Sequence, residues 1–421
     1  MDNYQYSLTE KLSFVRCGGT EEELRAANIL LQEIREAGGE GTLMEFQIPA
    51  FTLEKCAMRV TAPFEREIPV IPYGRAGSLP EGGKDFKICY AEKGREEDFF
   101  GMEDLSDTAV IVNELNLEVY RRLCEKKAGA FLVIVGKYYE DLTTCSAYSR
   151  KLRDKFLEYG KLPGYMIAAP DATDLIRDEA ERVHLEMRQT DQETTSRNVL
   201  AVIPGTDMPK ESIVLTAHYD SVPIGTGSWD NATGAATLMY IYRYFLTHPP
   251  RRTMRFLWCG SEELGLLGSR AYVEQNEALI PEIKFCFNFD MCGTVLGPNL
   301  IFVTGTPELE TFARQFCRHE GYAAEFKAVV HSSDSAPFAD KGVPSIGLSR
   351  GTPTASIHTR HDLMFPLSAR QLKINGDFAI KMISHVAESV ILPVPTGMPE
   401  DVKKELDKYF QRNVDEKKDS Q

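Results

Sequence analysis

From residue 197 to about 395, short apolar runs alternate with stretches of helical periodicity, and this alternation restricts the fold more than any other feature. The runs 198–203, 212–217, 253–258, 283–289, 300–303 and 344–348 read as strands. Helices are predicted over 232–246, from about 264, and over 308–320. The first two runs flank the turn-rich Pro204-Gly205 segment, which predicts a hairpin. Alternation of this kind gives an α/β fold: a mostly parallel mixed central sheet with helices on both faces. In open sheets of that type the carboxyl ends of the strands form the binding crevice.

The residues at those ends are the ones that carry chemistry. Run 212–217 is followed by His218-Tyr219-Asp220, run 253–258 by a short turn and Glu262-Glu263, and run 283–289 by Asp290. After 344–348 a loop brings His358, and Asp230 stands just ahead of the first helix. Each alone has an ordinary explanation. An acidic pair after a strand is usually a helix start, a lone Asp a turn former or cap, and a lone His a hydrogen-bonded surface or core residue. Together they are explained poorly by coincidence. Imidazole and carboxylate suit zinc, and no cysteine is placed to compete. Two histidines and three carboxylates exceed one tetrahedral ion with an open position, but fit two ions sharing a carboxylate. The chain has no HExxH helix, which excludes the usual single-zinc arrangement.

At 421 residues the chain is too long for one ordinary core, so two domains or a domain with a large insertion are expected. The first 40 residues read as helical, with Thr20 and Glu23 resembling a capping box, and 41–61 as extended. Over 62–190 the texture changes to short apolar runs, Gly-rich turns and one good helix, an inserted smaller α/β domain. The domain that carries the strand-end residues is then discontinuous, 1–61 with 191–395. The tail 396–421 carries Val402, Leu406, Tyr409 and Phe410 at helical spacing, suited to docking, to homo-oligomer formation or to a frayed, solvated end. A net charge of −14 argues against nucleic acid or an anionic membrane as partner. Nine scattered cysteines without CxxC pairs, and a start lacking the basic and apolar segments of a signal peptide, make a cytoplasmic protein the expectation.

The motifs HYDS, WDNATG, SEELGLLGS, NFDM, SDSAPF and IHTRHD resemble, in order and spacing, those of the di-zinc exopeptidases of clan MH, peptidase family M28. That family includes bacterial aminopeptidases and glutamate carboxypeptidase. The likeness is loose over 1–61 and close over roughly 197–395; the insertion resembles, more weakly, a protease-associated domain. The resemblance implies the zinc exopeptidase fold and two Zn2+ per chain, or another divalent metal, with a peptide as substrate. By it, His218 and Asp290 are terminal ligands of one ion and Glu263 and His358 of the other. Asp230 bridges them on a cis peptide to Asn231, Glu262 is the general base, and Asp220 accepts from the far nitrogen of His218.

Departures concern preference more than activity. Trp229 precedes the bridging Asp where many members have a small or acidic residue. Ile357 precedes His358 where several have Tyr, and Ser335 stands where a His is frequent. His361 is read as a rim residue, and His184, His248, His319, His331 and His385 as surface. Aminopeptidase activity is expected on family frequency. A carboxypeptidase is the alternative, with Arg350 and Arg360 as candidate clamps for a terminal carboxylate. A glutaminyl cyclase or a non-catalytic receptor-like module is less favoured, because all five ligands and the base are present.

Overall fold

The computed structural model describes residues 3–354, 356–410 and 412. The chain forms two compact units, Met1–Ile48 with Thr195–Gln421, and Pro49–Thr194. Positions 62 and 190 both lie inside the second unit. No composition break marks its true borders, because each falls within a single uninterrupted strand, Gly41–Ala62 and Arg182–Ile203.

The first unit opens with helices α1, Tyr4–Leu12, and α2, Glu21–Glu36. Thr20 caps α2 by accepting from the Glu23 amide at 3.2 Å, while the Glu23 carboxylate reaches past the cap residue to the Gly19 amide at 2.9 Å. The capping box is thus present in a stretched form. Ala26, Ala27, Leu30 and Ile34 make the buried face of α2, as the helical period requires.

The chain then supplies β1 (Arg182–Ile203), β2 (Met208–His218), α3 (Thr233–Thr247), β3 (Arg252–Cys259), α4 (Leu267–Gln275) and β4 (Ile283–Phe289). It continues through β5 (Asn299–Thr304), α5 (Pro307–Glu320), β6 (Ala324–Ala328), α6 (Ala336–Asp340), β7 (Ser345–Arg350), α7 (Ala369–Glu388) and α8 (Glu400–Tyr409). In this unit the strand order is β6-β5-β7-β4-β2-β3-β1. β3, β2, β4 and β7 run parallel; β1 pairs antiparallel with β3 and β5 antiparallel with β7, while β6 runs parallel to β5. The expected hairpin of 198–203 with 212–217 does not form. β3 lies between the two, pairing Trp258 with Val199 on one side and with Ala217 on the other. The 206–208 amides meanwhile bond the carbonyls of Pro250 and Arg251, so the turn is sealed onto the start of β3.

Burial explains the parallel centre. β2 from Ser212 to His218 and β4 from Phe285 to Phe289 are buried throughout and mostly apolar because both faces are covered there, and α3 is apolar almost all round. Ala235 and Ala236 let α3 approach closely enough for Trp258 Nε1 to donate to the Ala235 carbonyl at 3.0 Å.

In the second unit, Lys84–Tyr90, Thr108–Val112, Ala130–Val135 and Gly164–Ala168 form a parallel run. It is flanked antiparallel by Val70–Pro72 and by residues 182–185. Each face of this sheet carries its own apolar cluster. The nine cysteines form no disulfide, and five of them are buried as small hydrophobes. Among the described residues no helix is long and apolar enough to cross a membrane.

Candidate metal centre

Because β3, β2, β4 and β7 are parallel, their carboxyl ends share one edge of the sheet, and each end delivers a polar side chain there. β2 terminates in His218 with Asp220 two residues on, and Asp290 follows β4 directly. After β3 the chain turns at Gly260-Ser261 into a single 3-10 turn, Glu262–Leu264. The loop after β7 carries His358. The turns are sharp: Ser261, Met291 and His358 all have positive φ, at 54°, 58° and 56°. A non-glycine residue there costs about 1–3 kcal/mol, a cost that tends to collect at functional sites. Asp230 enters from the segment before α3, and its peptide to Asn231 is cis, as the resemblance implied.

The five expected ligands come together in two groups divided by one carboxylate. His218 Nε2 lies 3.1 Å from Asp230 Oδ1 and 3.6 Å from Asp290 Oδ1. His358 Nε2 lies 3.2 Å from the other Asp230 oxygen, Oδ2, and 2.8 Å from Glu263 Oε2. Glu262 stands apart, its Oε2 4.0 Å from His218 Nε2. Asp220 has two tasks. Its carboxylate caps the 3-10 turn, accepting from the Glu262 and Glu263 amides at 3.0 and 3.3 Å. It also faces His218 Nδ1 at 3.4 Å, an electrostatic contact too long and too poorly aligned to satisfy that nitrogen as a hydrogen bond.

Three residues that hold this arrangement were not assigned from sequence. Asp362 is buried and accepts from the Trp229 amide at 2.7 Å and the Asp230 amide at 3.0 Å, so it aims the dividing carboxylate. It ends the IHTRHD motif, a signal that was available. Ser333 donates to Asp290 Oδ2 at 2.7 Å and accepts from Asn288 Nδ2 at 2.8 Å. Arg16 is buried and donates to the carbonyls of Leu12, Phe14, Tyr219, Thr226 and Gly227, and in sequence it looks like any surface arginine.

Other assignments change. His331 is not a surface residue: it is largely buried and stacks on Phe302 with centroids 3.7 Å apart. Its position between Val330 and Ser332 gave no sign of that stacking. His248, His319, His361 and His385 are exposed, and His184, half buried, pairs with Asp85 at 2.7 Å. Arg350 is spent on the chain itself, donating to the Thr294 carbonyl at 2.6 Å, the Val295 carbonyl at 3.4 Å and Asn299 Oδ1 at 2.8 Å. It is therefore not placed to clamp a substrate carboxylate.

The electrostatics are those of crowded, buried acid. Burial pushes the Glu262 carboxyl well above its usual range, with Asp334 and Glu263 adding to the effect. Burial and then Asp230 raise Glu263 to about 7. Asp230 is buried too, yet the bonds from His218 and His358 hold it below the ordinary carboxylate range. Bonding to Asp230 and Glu263 raises His358 to about 10.

The donor set fits a divalent cation. Zinc–ligand distances near 2.1 Å in a tetrahedron put ligand atoms roughly 3.4 Å apart, and the histidine-to-carboxylate separations in both groups lie between 2.8 and 3.6 Å. His218, Asp230 and Glu263 each also offer an atom within one 4.8 Å cluster. Asp290 Oδ1 and Glu263 Oε1 are buried with no hydrogen-bond partner among the described residues, a costly state that a cation relieves.

Residues 198–383 match the model of Peptidase family M28. The chain is 26% identical over 397 residues to Aminopeptidase YwaD of Bacillus subtilis, covering 89% of this chain and 82% of that protein. It is 31% identical over 169 residues to Leucine aminopeptidase 2 of Trichophyton equinum, which covers 37% of this chain and 34% of that one. In structure it is similar to a zinc aminopeptidase from Bacillus subtilis, with a TM-score of 0.78 at 22% identity over 96% of this chain and 98% of that one. A Peptidase M28 precursor from Shewanella amazonensis gives 0.72 at 21% over 94% and 95%. The segment that matches the model of Peptidase family M28, 198–383, is the one that holds every side chain of the two groups.

Proposed function

We propose that this chain is a zinc aminopeptidase with two ions per chain, one held by His218, Asp230 and Asp290 and the other by His358, Asp230 and Glu263. The observation that carries the reading is the division of Asp230, whose two oxygens face two different histidines. When bound, the ions would supply an activated water and polarise the scissile carbonyl. The protein's own part is proton transfer and orientation. Glu262, close to both groups but nearest atom 4.0 Å from His218 Nε2, takes the proton of the attacking water on its carboxylate and returns it to the leaving amine. Its burial raises its basicity for that purpose. Asp220 fixes the Glu262-Glu263 turn and faces the outer nitrogen of His218. Asp362 aims Asp230, and Ser333 aims Asp290.

Direction follows from charge. A site crowded with carboxylates favours a substrate ammonium, and of the two candidate clamps for a carboxypeptidase, Arg350 and Arg360, the first is engaged elsewhere. The loops after β4 and β7 meet where the Val295 amide donates to the Pro366 carbonyl at 2.8 Å, and they expose Leu296, Leu363 and Phe365. That rim suits apolar peptide residues, in keeping with the names of the fungal relatives. The second unit is read as an accessory module of protease-associated type, and the protein as cytoplasmic. The test is metal content of the purified chain beside a substrate panel. Two zinc ions per chain and turnover of leucyl-anilide, but not of an N-acetylated dipeptide, are expected. The opposite preference would make the enzyme a carboxypeptidase, and a single tight ion would remove the bridging role of Asp230.

A further inference from the structure

The last described helix, α8, packs on the segment that orients a candidate ligand. Residues 329–335 run from the end of β6 to α6, and Ser333 at their centre donates to Asp290 Oδ2 at 2.7 Å. From within the sheet, Ser333 is itself held by Asn288, which accepts in turn from Thr216 Oγ1 at 2.7 Å. From outside, the same segment is held by α8. Glu405 Oε1 accepts from the Val330 amide at 3.2 Å, and Tyr409 OH shares a hydrogen bond with Ser332 Oγ at 2.7 Å. Leu406, between them on one helical face, is 2% exposed and anchors the helix. Arg412 pairs with Asp340 at the far end of α6. Both of these hydrogen bonds thus fall on residues just before Ser333, whose bond to Asp290 Oδ2 leaves Oδ1 free.

We propose that α8 is an intramolecular strut that sets Ser333 and so Asp290, with Glu405 and Tyr409 as positioning residues for one of the two cation sites. This rests on the two-cation reading above. Outer partners of ligating carboxylates commonly change metal affinity by about 10–100-fold, and a strut acting through such a partner should lie near the lower end. Neither residue is in the core, so both can be changed in the full chain without opening it.

The experiment measures stepwise zinc affinities by chelator competition in the wild type, Glu405→Ala/Tyr409→Phe, Ser333→Ala and the triple variant. Two ions are expected in the wild type. In the double variant one affinity should fall about 10-fold and the other stay unchanged. Excess zinc should restore kcat, and KM for a leucyl-anilide should not move. The triple variant should be no weaker than Ser333→Ala alone, because both changes act through one bond. Glu405→Gln, which keeps an acceptor for the Val330 amide, should recover much of the loss. Unchanged affinities in the double variant, or losses that multiply with Ser333→Ala, overturn the strut. A wild type that binds one ion overturns the two-cation reading, and the strut with it.

Discussion

At the scale of single residues, Glu262 and Glu263 are adjacent in sequence and chemically identical, yet the fold gives them different surroundings. Glu263 Oε2 is 2.8 Å from His358 Nε2, inside a ligand group, whereas Glu262 Oε2 approaches no nearer than 4.0 Å to His218. Glu263→Gln should therefore lose one ion, since a neutral amide is a poor ligand for a divalent cation. Glu262→Gln should keep both ions while turnover falls by roughly 10²–10⁴-fold, the usual worth of a positioned general base. Metal analysis beside single-turnover rates tells the two apart, and the reverse pattern would exchange their roles. The pair also marks the reach of sequence reasoning. His218, Asp230, Glu263, Asp290 and His358 were legible because strand-end placement and family motifs agree on them. Arg16 was not, because nothing in FVRCGG signals that five backbone carbonyls will surround its guanidinium. Asp362 lay within a quoted motif but acts on an amide 132 residues away, a pairing that only the folded chain reveals.

At the scale of elements, strand and helix identities in the first unit were legible because buried parallel strands are continuously apolar and short. Pairing was less so. The 198–203 and 212–217 runs look like a hairpin because they are neighbours in sequence, but β3 lies between them and satisfies both ladders. What places Asp230 is the close approach of α3 to the end of β4. Asn231 Nδ2 donates to the Phe289 carbonyl at 2.9 Å, and Asn231 Oδ1 accepts from the Gly234 and Met291 amides at 2.8 and 3.0 Å. Gly234 is required there. A Cβ at that position would sit 2.3 Å from the Phe289 carbonyl oxygen, a backbone atom that cannot step aside. Gly234→Ala should push α3 away from β4, lowering stability by about 1–3 kcal/mol as overpacking does. Asp230 should move with the helix, so zinc affinity should fall as well. Thermal unfolding with and without added zinc measures both effects. A variant that unfolds earlier but binds zinc normally would show that α3 does not set the position of Asp230.

At the scale of the whole molecule, the first unit is discontinuous, and its N-terminal segment must be tied back to chain that begins again at Thr195. Gln5 does this by donating to Thr237 Oγ1 and the Leu372 carbonyl at 3.1 and 3.0 Å. Glu23 does it with a buried carboxyl group: its oxygens accept from Ser196 Oγ and the Gly19 amide, and Arg197 stands 3.9 Å away. Burial outweighs these bonds and raises its carboxyl to about 7. A carboxyl whose folded pKa is raised binds more protons folded than unfolded between its two pKa values, so stability falls as pH rises through that window. The contribution is intact below about pH 4.5, the ordinary value, and is lost by about pH 7. At about 1.4 kcal/mol per unit the loss is of order 3 kcal/mol. Glu23→Gln cannot titrate. Its stability relative to the wild type should therefore improve steadily from pH 4.5 to pH 7.5, whatever offset the altered hydrogen bonds introduce at the acid end. Denaturant unfolding of both proteins across that range, with zinc held constant, measures the difference. A difference independent of pH would mean that Arg197 and the two donors keep Glu23 ionised throughout, and that the N-terminal segment is held by an ion pair instead of a shared proton.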